Sequence, residues 1–102
     1  MDCSQLKSLA SFQNLFKELY MSRDLSRGAD KTLLWLVSEL GELADAYLKQ
    51  DVNSMKEEAA DVFAWLCSFC NLLNIDLEEA VLKKYGNGCP RCSSSPCKCP
   101  VR

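Results

Sequence analysis

The 102-residue chain contains no histidine. That absence excludes Ser-His and Cys-His nucleophilic schemes, and with them the Glu-x-x-His ligand motif of ferritin-like di-iron bundles. Basic charge is not in excess either: 12 Lys and Arg stand against 14 Asp and Glu, for a net charge of -2. No general footprint for a nucleic-acid polymer is therefore expected, and a nucleotide is the better fit. Long apolar runs are missing too. Nothing approaches the roughly 18 to 20 residues needed to span a bilayer, and Met1-Asp2-Cys3-Ser4-Gln5 has no basic stretch leading into an apolar one. These absences predict a cytoplasmic protein with no membrane partner.

What is present is a 48% hydrophobic composition arranged at helical period, enough for one domain with a modest core. Leu6, Leu9, Phe12, Phe16, Leu19 and Tyr20 recur near every 3.6 residues, predicting a packing helix from about Ser4, its N-cap, to Met21. Residues 23–30, Arg23-Asp24-Leu25-Ser26-Arg27-Gly28-Ala29-Asp30, are polar and include glycine, and they read as a connection. A second helix is expected from about Asp30 to Lys49. It is apolar over more than one stripe, which requires cover on several sides. Gln50-Asp51-Val52-Asn53 reads as a turn, and Ser54-Met55-Lys56-Glu57 as a capping box opening a third helix that runs to about Leu73. So short a connection makes these two helices antiparallel neighbours. Asp76-Leu77-Glu78-Glu79 predicts a capped short helix to about Tyr85, and Gly86-Asn87-Gly88 its end.

Two acidic pairs interrupt the apolar runs, Glu39-Leu-Gly-Glu42 and Glu58-Ala-Ala-Asp61. Residues three apart share a helix face, so each pair projects two carboxylates in one direction. About the turn the pairs fall at similar heights, predicting one four-carboxylate group. At an effective dielectric of about 20, like charges roughly 4 Å apart repel by about 4 kcal/mol, so the group calls for a cation. Oxygen ligands favour Mg²⁺, Mn²⁺ or Ca²⁺ over zinc. Glu57 points about 100° from Glu58 and reads as a cap, and Asp45 as solvated surface.

Ser38-Glu39-Leu40-Gly41-Glu42-Leu43, followed by Glu57-Glu58-Ala59-Ala60-Asp61-Val62, resembles the MazG family of all-α nucleoside triphosphate pyrophosphohydrolases. The resemblance extends over roughly residues 5–85. It implies that Glu39, Glu42, Glu58 and Asp61 bind Mg²⁺, with Mn²⁺ an alternative. It further implies cleavage of a nucleoside triphosphate between the α- and β-phosphates, releasing a monophosphate and pyrophosphate. An assembly of two or four copies, in which helices of different subunits form the bundle, is implied as well. Glu39 or Glu42 is the candidate base. Lys83 and Lys84 match the family's basic position, and Lys56 opens the third helix; all three are candidates to meet phosphate. Trp35 and Trp65 each share a helix face with a carboxylate and are candidates to stack on a base, although core packing also explains them. Phe12 and Tyr47 are weaker pocket candidates. The alternatives are a related all-α enzyme acting on dUTP or phosphoribosyl-ATP, and a noncatalytic helical module binding nucleotide or zinc.

Four of the seven cysteines crowd into the tail as Cys89-x2-Cys92-x4-Cys97-x-Cys99. The first pair has zinc-knuckle spacing, and a segment almost without apolar residues cannot fold through a core. Zinc is expected there; two disulfides or loose thiols are the alternatives. Cys67 and Cys70 share the x2 spacing but lie in an apolar helix, where they read as small core residues. The expected architecture is all-α, an antiparallel bundle of three to four helices completed by oligomerisation. Residues 1–86 form the helical catalytic domain and residues 87–102 a cysteine-rich knuckle.

Overall fold

The structure is a computed structural model that describes residues 8–101. It contains four helices, α1 (Leu9–Arg27), α2 (Ala29–Leu48), α3 (Val52–Leu72) and α4 (Leu77–Tyr85), and no strand among the described residues. The helices α2 and α3 form the central antiparallel hairpin, α1 lies chiefly against α3, and α4 leans on α1. No single helix is long and apolar enough to cross a membrane.

Three boundaries differ from the sequence reading, each for a local reason. Helix α1 is capped by Ser8, whose side chain accepts from Ser11 N; Ser4 and Leu6 lie outside the described residues. Its helical hydrogen bonding continues through Arg27, so most of the polar segment read as a connection is helix. The break is confined to Gly28, at φ 87°, a left-handed-side conformation that a residue without Cβ adopts without strain. An ion pair from Arg27 Nη1 to Asp24 Oδ1 (2.9 Å) and a hydrogen bond from Arg27 to Thr32 Oγ1 (3.1 Å) strap the joint. Asp24 is buried there, inside the stretch that looked solvated. The capping box at Ser54–Glu57 is also replaced. Asp51 is the N-cap of α3, its carboxylate accepting from Ser54 N (3.2 Å) and Ser54 Oγ (2.8 Å). Those donors, the backbone N–H first, hold the Asp51 carboxyl below its usual range. Asp76 caps α4 through Glu79 N, as its pattern predicts.

Packing between α1 and α3 is aromatic on one side and polar on the other. Phe12 and Phe16 both meet Phe63 edge-on, at 6.1 and 6.0 Å between ring centroids, so Phe12, half-buried, packs between α1 and α3. Beside them Gln13 donates to Asn71 Oδ1 (3.0 Å) and Ile75 O (2.7 Å) and accepts from Leu77 N (3.0 Å), tying the start of α1 to the α3–α4 corner. Cys67 and Cys70 are buried on α3, and desolvation raises both thiols, Cys67 to about 11. They act as core residues.

Candidate active site

The interior stripe of α2 runs Thr32, Leu36, Glu39, Leu43, Ala46, a 4-3-4-3 repeat that is buried or half-buried at every position. Glu39 therefore occupies a core position of the hairpin. The facing stripe of α3 contributes Glu58, half-buried, and Asp61, one turn on and exposed. Because α2 and α3 are antiparallel about a short turn, the two acidic pairs meet across their seam. One carboxylate oxygen each from Glu39, Glu58 and Asp61 lies within 4.8 Å of the others. The Glu42 carboxylate is exposed and faces both Glu39 and Glu58.

Electrostatics mark the group as charge-dense. Desolvation first, then the neighbouring Glu42 charge, pushes the Glu39 carboxyl above its ordinary value; Glu58 rises for the same two reasons in the same order. Glu58 Oε2 is shut off from solvent and has no hydrogen-bond partner. An unpartnered buried carboxylate oxygen is costly, and a cation is the partner that would satisfy it together with its two neighbours. With ligand oxygens at about 2.1 Å, opposite ligands of an octahedral Mg²⁺ stand about 4.2 Å apart, so the observed spread needs only a small contraction to close on one ion. The residues fit a hard divalent cation.

A cavity of about 260 Å³ opens beside Asp61, between α1 and α3. Tyr20, Arg23 and Arg27 line it from α1, and Trp65 and Ser68 from α3. Arg27 also lies over the Trp65 ring, 4.5 Å from its centroid, and Trp65 stacks on Trp35 at 5.8 Å and 17°. The two tryptophans thus meet each other, and Trp35 keeps 49% exposure beside a second shallow cavity with Lys31, Leu34 and Ser38. The arginines were missed in the sequence because the segment carrying them looked like a loop. Their helical signal was the Asp24–Arg27 spacing of three, which supports an ion pair within a helix.

The other candidates are scattered. Lys56 is exposed in the second turn of α3, and Lys83 and Lys84 are exposed in the last turn of α4, a helix that leans on α1. Tyr47 lines a shallow cavity with Leu48 and Met55 at the far end of α2. Asp45 pairs with Lys49 on the surface at 2.8 Å. In the tail, the sulfurs of Cys89, Cys92, Cys97 and Cys99 come within 4.8 Å of one another, a second group able to hold a metal ion.

No curated protein matches the chain. A family model does: the MazG nucleotide pyrophosphohydrolase domain matches residues 27–93, about two thirds of the chain. The matched span takes in α2, α3, α4 and the first cysteine pair, and begins at the last residue of α1, whereas the resemblance in the sequence starts near residue 5. It contains both acidic pairs in the order and spacing that bring them together across the hairpin. The chain belongs to the MazG family of nucleotide pyrophosphohydrolase domains.

Proposed function

We propose that the protein hydrolyses a nucleoside triphosphate to the monophosphate and pyrophosphate, with Mg²⁺, or Mn²⁺ in its place, held by Glu39, Glu58, Asp61 and Glu42. The observation that carries this reading is the solvent-excluded, unpartnered Glu58 Oε2 inside a carboxylate group assembled from two helices. The bound ion supplies charge neutralisation for the phosphate oxygens. Glu39, fixed on the interior stripe, is a rigid ligand. Glu42, exposed at the rim and outside the tightest three, is placed to take the proton of an attacking water. Arg23 has no ion-pair partner among the described residues and lines the cavity beside Asp61, where it meets phosphate. Lys56, Lys83 and Lys84 reach phosphate only if a second copy presents them or the nucleotide extends toward them. The base lies against the exposed face of Trp35 or in the cavity beside Trp65.

Self-association belongs to the same reading. Leu33, Leu34, Val37, Leu40, Tyr47 and Leu48 are all exposed along the outer surface of α2. The buried hydrophobic residues among those described are only Ala46, Cys67 and Cys70. A chain of this size cannot rest on so small a core, and a dimer or tetramer pairing α2 surfaces would cover the stripe. Free thiols fit a reducing, cytoplasmic setting.

The test is a panel of ribo- and deoxyribonucleoside triphosphates, with dUTP and phosphoribosyl-ATP included, assayed for pyrophosphate release with Mg²⁺ and with EDTA. One triphosphate should be turned over in a metal-dependent way. Glu39→Ala and Asp61→Ala should each lower that rate by more than the about 10- to 100-fold that loss of an outer metal partner costs. Undiminished turnover in both variants would sink the site, and nucleotide binding without turnover at any divalent concentration would sink the enzyme.

A further inference from the structure

The cysteine tail plays no part in the hydrolytic reading, and its geometry stands independently of it. The Sγ–Sγ separations are 3.5 Å for Cys97–Cys89, 3.8 Å for Cys89–Cys99 and 3.9 Å for Cys92–Cys97. These are too long for a disulfide, at about 2.05 Å. They match the edge of a tetrahedron of thiolates around zinc: with Zn–S at about 2.3 Å, neighbouring sulfurs stand about 3.8 Å apart. All four sulfurs fall within 4.8 Å of one another, which leaves room for one ion and none for a multi-iron cluster.

The backbone is arranged around the sulfurs. Lys98 N donates to Cys92 Sγ and Cys99 N to Cys97 Sγ, both at 3.3 Å. Ser93 N donates to Cys89 O (2.7 Å) and Cys89 N to Ser94 O (3.1 Å), closing Cys89–Ser94 into a tight loop that presents its first two thiols together. Ser93 adopts φ 57° and Gly88 φ 97° to make that loop, and a Cβ on Gly88 would meet Ser94 O at 3.0 Å. A non-glycine residue held at positive φ is costly and needs a compensating constraint. The constraint is not a hydrophobic core, since the side chains here are Ser, Pro, Arg, Lys and Cys.

We infer that Cys89, Cys92, Cys97 and Cys99 bind a single structural zinc ion as a closed tetrathiolate, and that this ion orders the tail against the end of α4. Four thiolates around Zn²⁺ leave a net charge of about -2, and Arg91, Lys98 and the nearby Lys84 offset it. The ordered loop then walls a cavity of about 570 Å³ with Lys84 and Tyr85 on one side and Arg91 and Pro100 on the other. With every ligand position filled by sulfur the ion has no open site, so its role is to hold the tail and not to act on substrate.

The experiment is elemental analysis of the full-length protein, purified under reducing conditions and exchanged into metal-free buffer. About one zinc per chain is expected, and Cys92→Ser/Cys97→Ser should lose it. Because that variant can fail to fold, the wild-type chain is also loaded with Co²⁺, which should give the intense thiolate charge-transfer and d–d absorption of a tetrahedral S₄ site. Zinc removal by chelator should speed trypsin cleavage at Arg91 and Lys98 while leaving α1–α4 protected. Iron in place of zinc, a Co²⁺ spectrum without thiolate bands, or zinc retained in full by the double variant would each overturn the assignment. Failure of these measurements would leave the carboxylate site untouched, and failure of the nucleotide panel would leave the zinc site untouched.

Discussion

Glu39 and Glu58 are ordinary residues in an unusual place, and their protonation should report it. Both carboxyls are raised above their ordinary value of 4.5 in the folded, metal-free chain, so the folded state binds more protons than the unfolded one once pH exceeds that value. Stability from these groups is therefore fully present below about pH 4.5 and is lost as pH rises through their folded values. In EDTA, the melting temperature of Glu39→Gln minus that of wild type should increase from pH 4.5 toward 7. Saturating Mg²⁺ should stabilise wild type and do little for the variant. Scanning fluorimetry across that range, with and without metal, checks both; a wild-type curve parallel to that of Glu39→Gln would remove the crowding argument. The difference between the curves matters because Asp51 pulls the other way, its lowered carboxyl contributing stability that is lost only at more acid pH.

At the scale of elements, the α1–α2 joint is where one residue carries the geometry. Gly28 sits at φ 87° with no atom within 4 Å of where a Cβ would stand, so a substitution there meets backbone strain and no clash. Gly28→Ala should cost about 1 to 3 kcal/mol, because positive φ with extended ψ is a region open in practice only to glycine, measurable by urea titration with an unchanged m-value. A change below a few tenths would show that the joint relaxes. The strap from Asp24 through Arg27 to Thr32 explains why the helix runs on to the glycine. Composition made residues 23–30 look like a solvated loop. The helix itself pairs Asp24 with Arg27 inside α1, and Arg27 alone reaches across the joint, to Thr32 of α2.

The whole molecule has more apolar surface than it covers. With Leu34 at 69%, Val37 at 61% and Leu48 at 78% exposure on the outer side of α2, self-association is the expected state. Sedimentation equilibrium at micromolar concentration should give a dimer or tetramer, and Val37→Glu/Leu40→Glu should shift it toward monomer. A monomeric wild-type chain would refute the assembly. Activity measured on the same variant then shows whether the site is complete in one chain: loss that tracks dissociation would place Lys56, Lys83 or Lys84 of a neighbouring copy at the phosphates.

Much of this was readable from residue order because helical period is a local property. The four helices, the short α2–α3 turn, the Asp76 cap and the burial of Cys67 and Cys70 all follow from spacing within a few residues. The meeting of the two acidic pairs followed from one further step, antiparallel register about a turn too short to allow anything else. What the sequence left open was a local competition at one cap and most of the contacts between residues far apart in the chain. Asp51 outcompeted Ser54 as the α3 cap because its carboxylate reaches both donors on Ser54. Arg23 and Arg27 became cavity residues only when α1 ran a turn and a half further and lay across α3 at Trp65. Trp35 and Trp65, each on a carboxylate's face, turned out to stack on one another once the hairpin closed. Spacing alone determined which side chains share a face; tertiary packing decided which faces meet, and so which charges lose their water and need a partner.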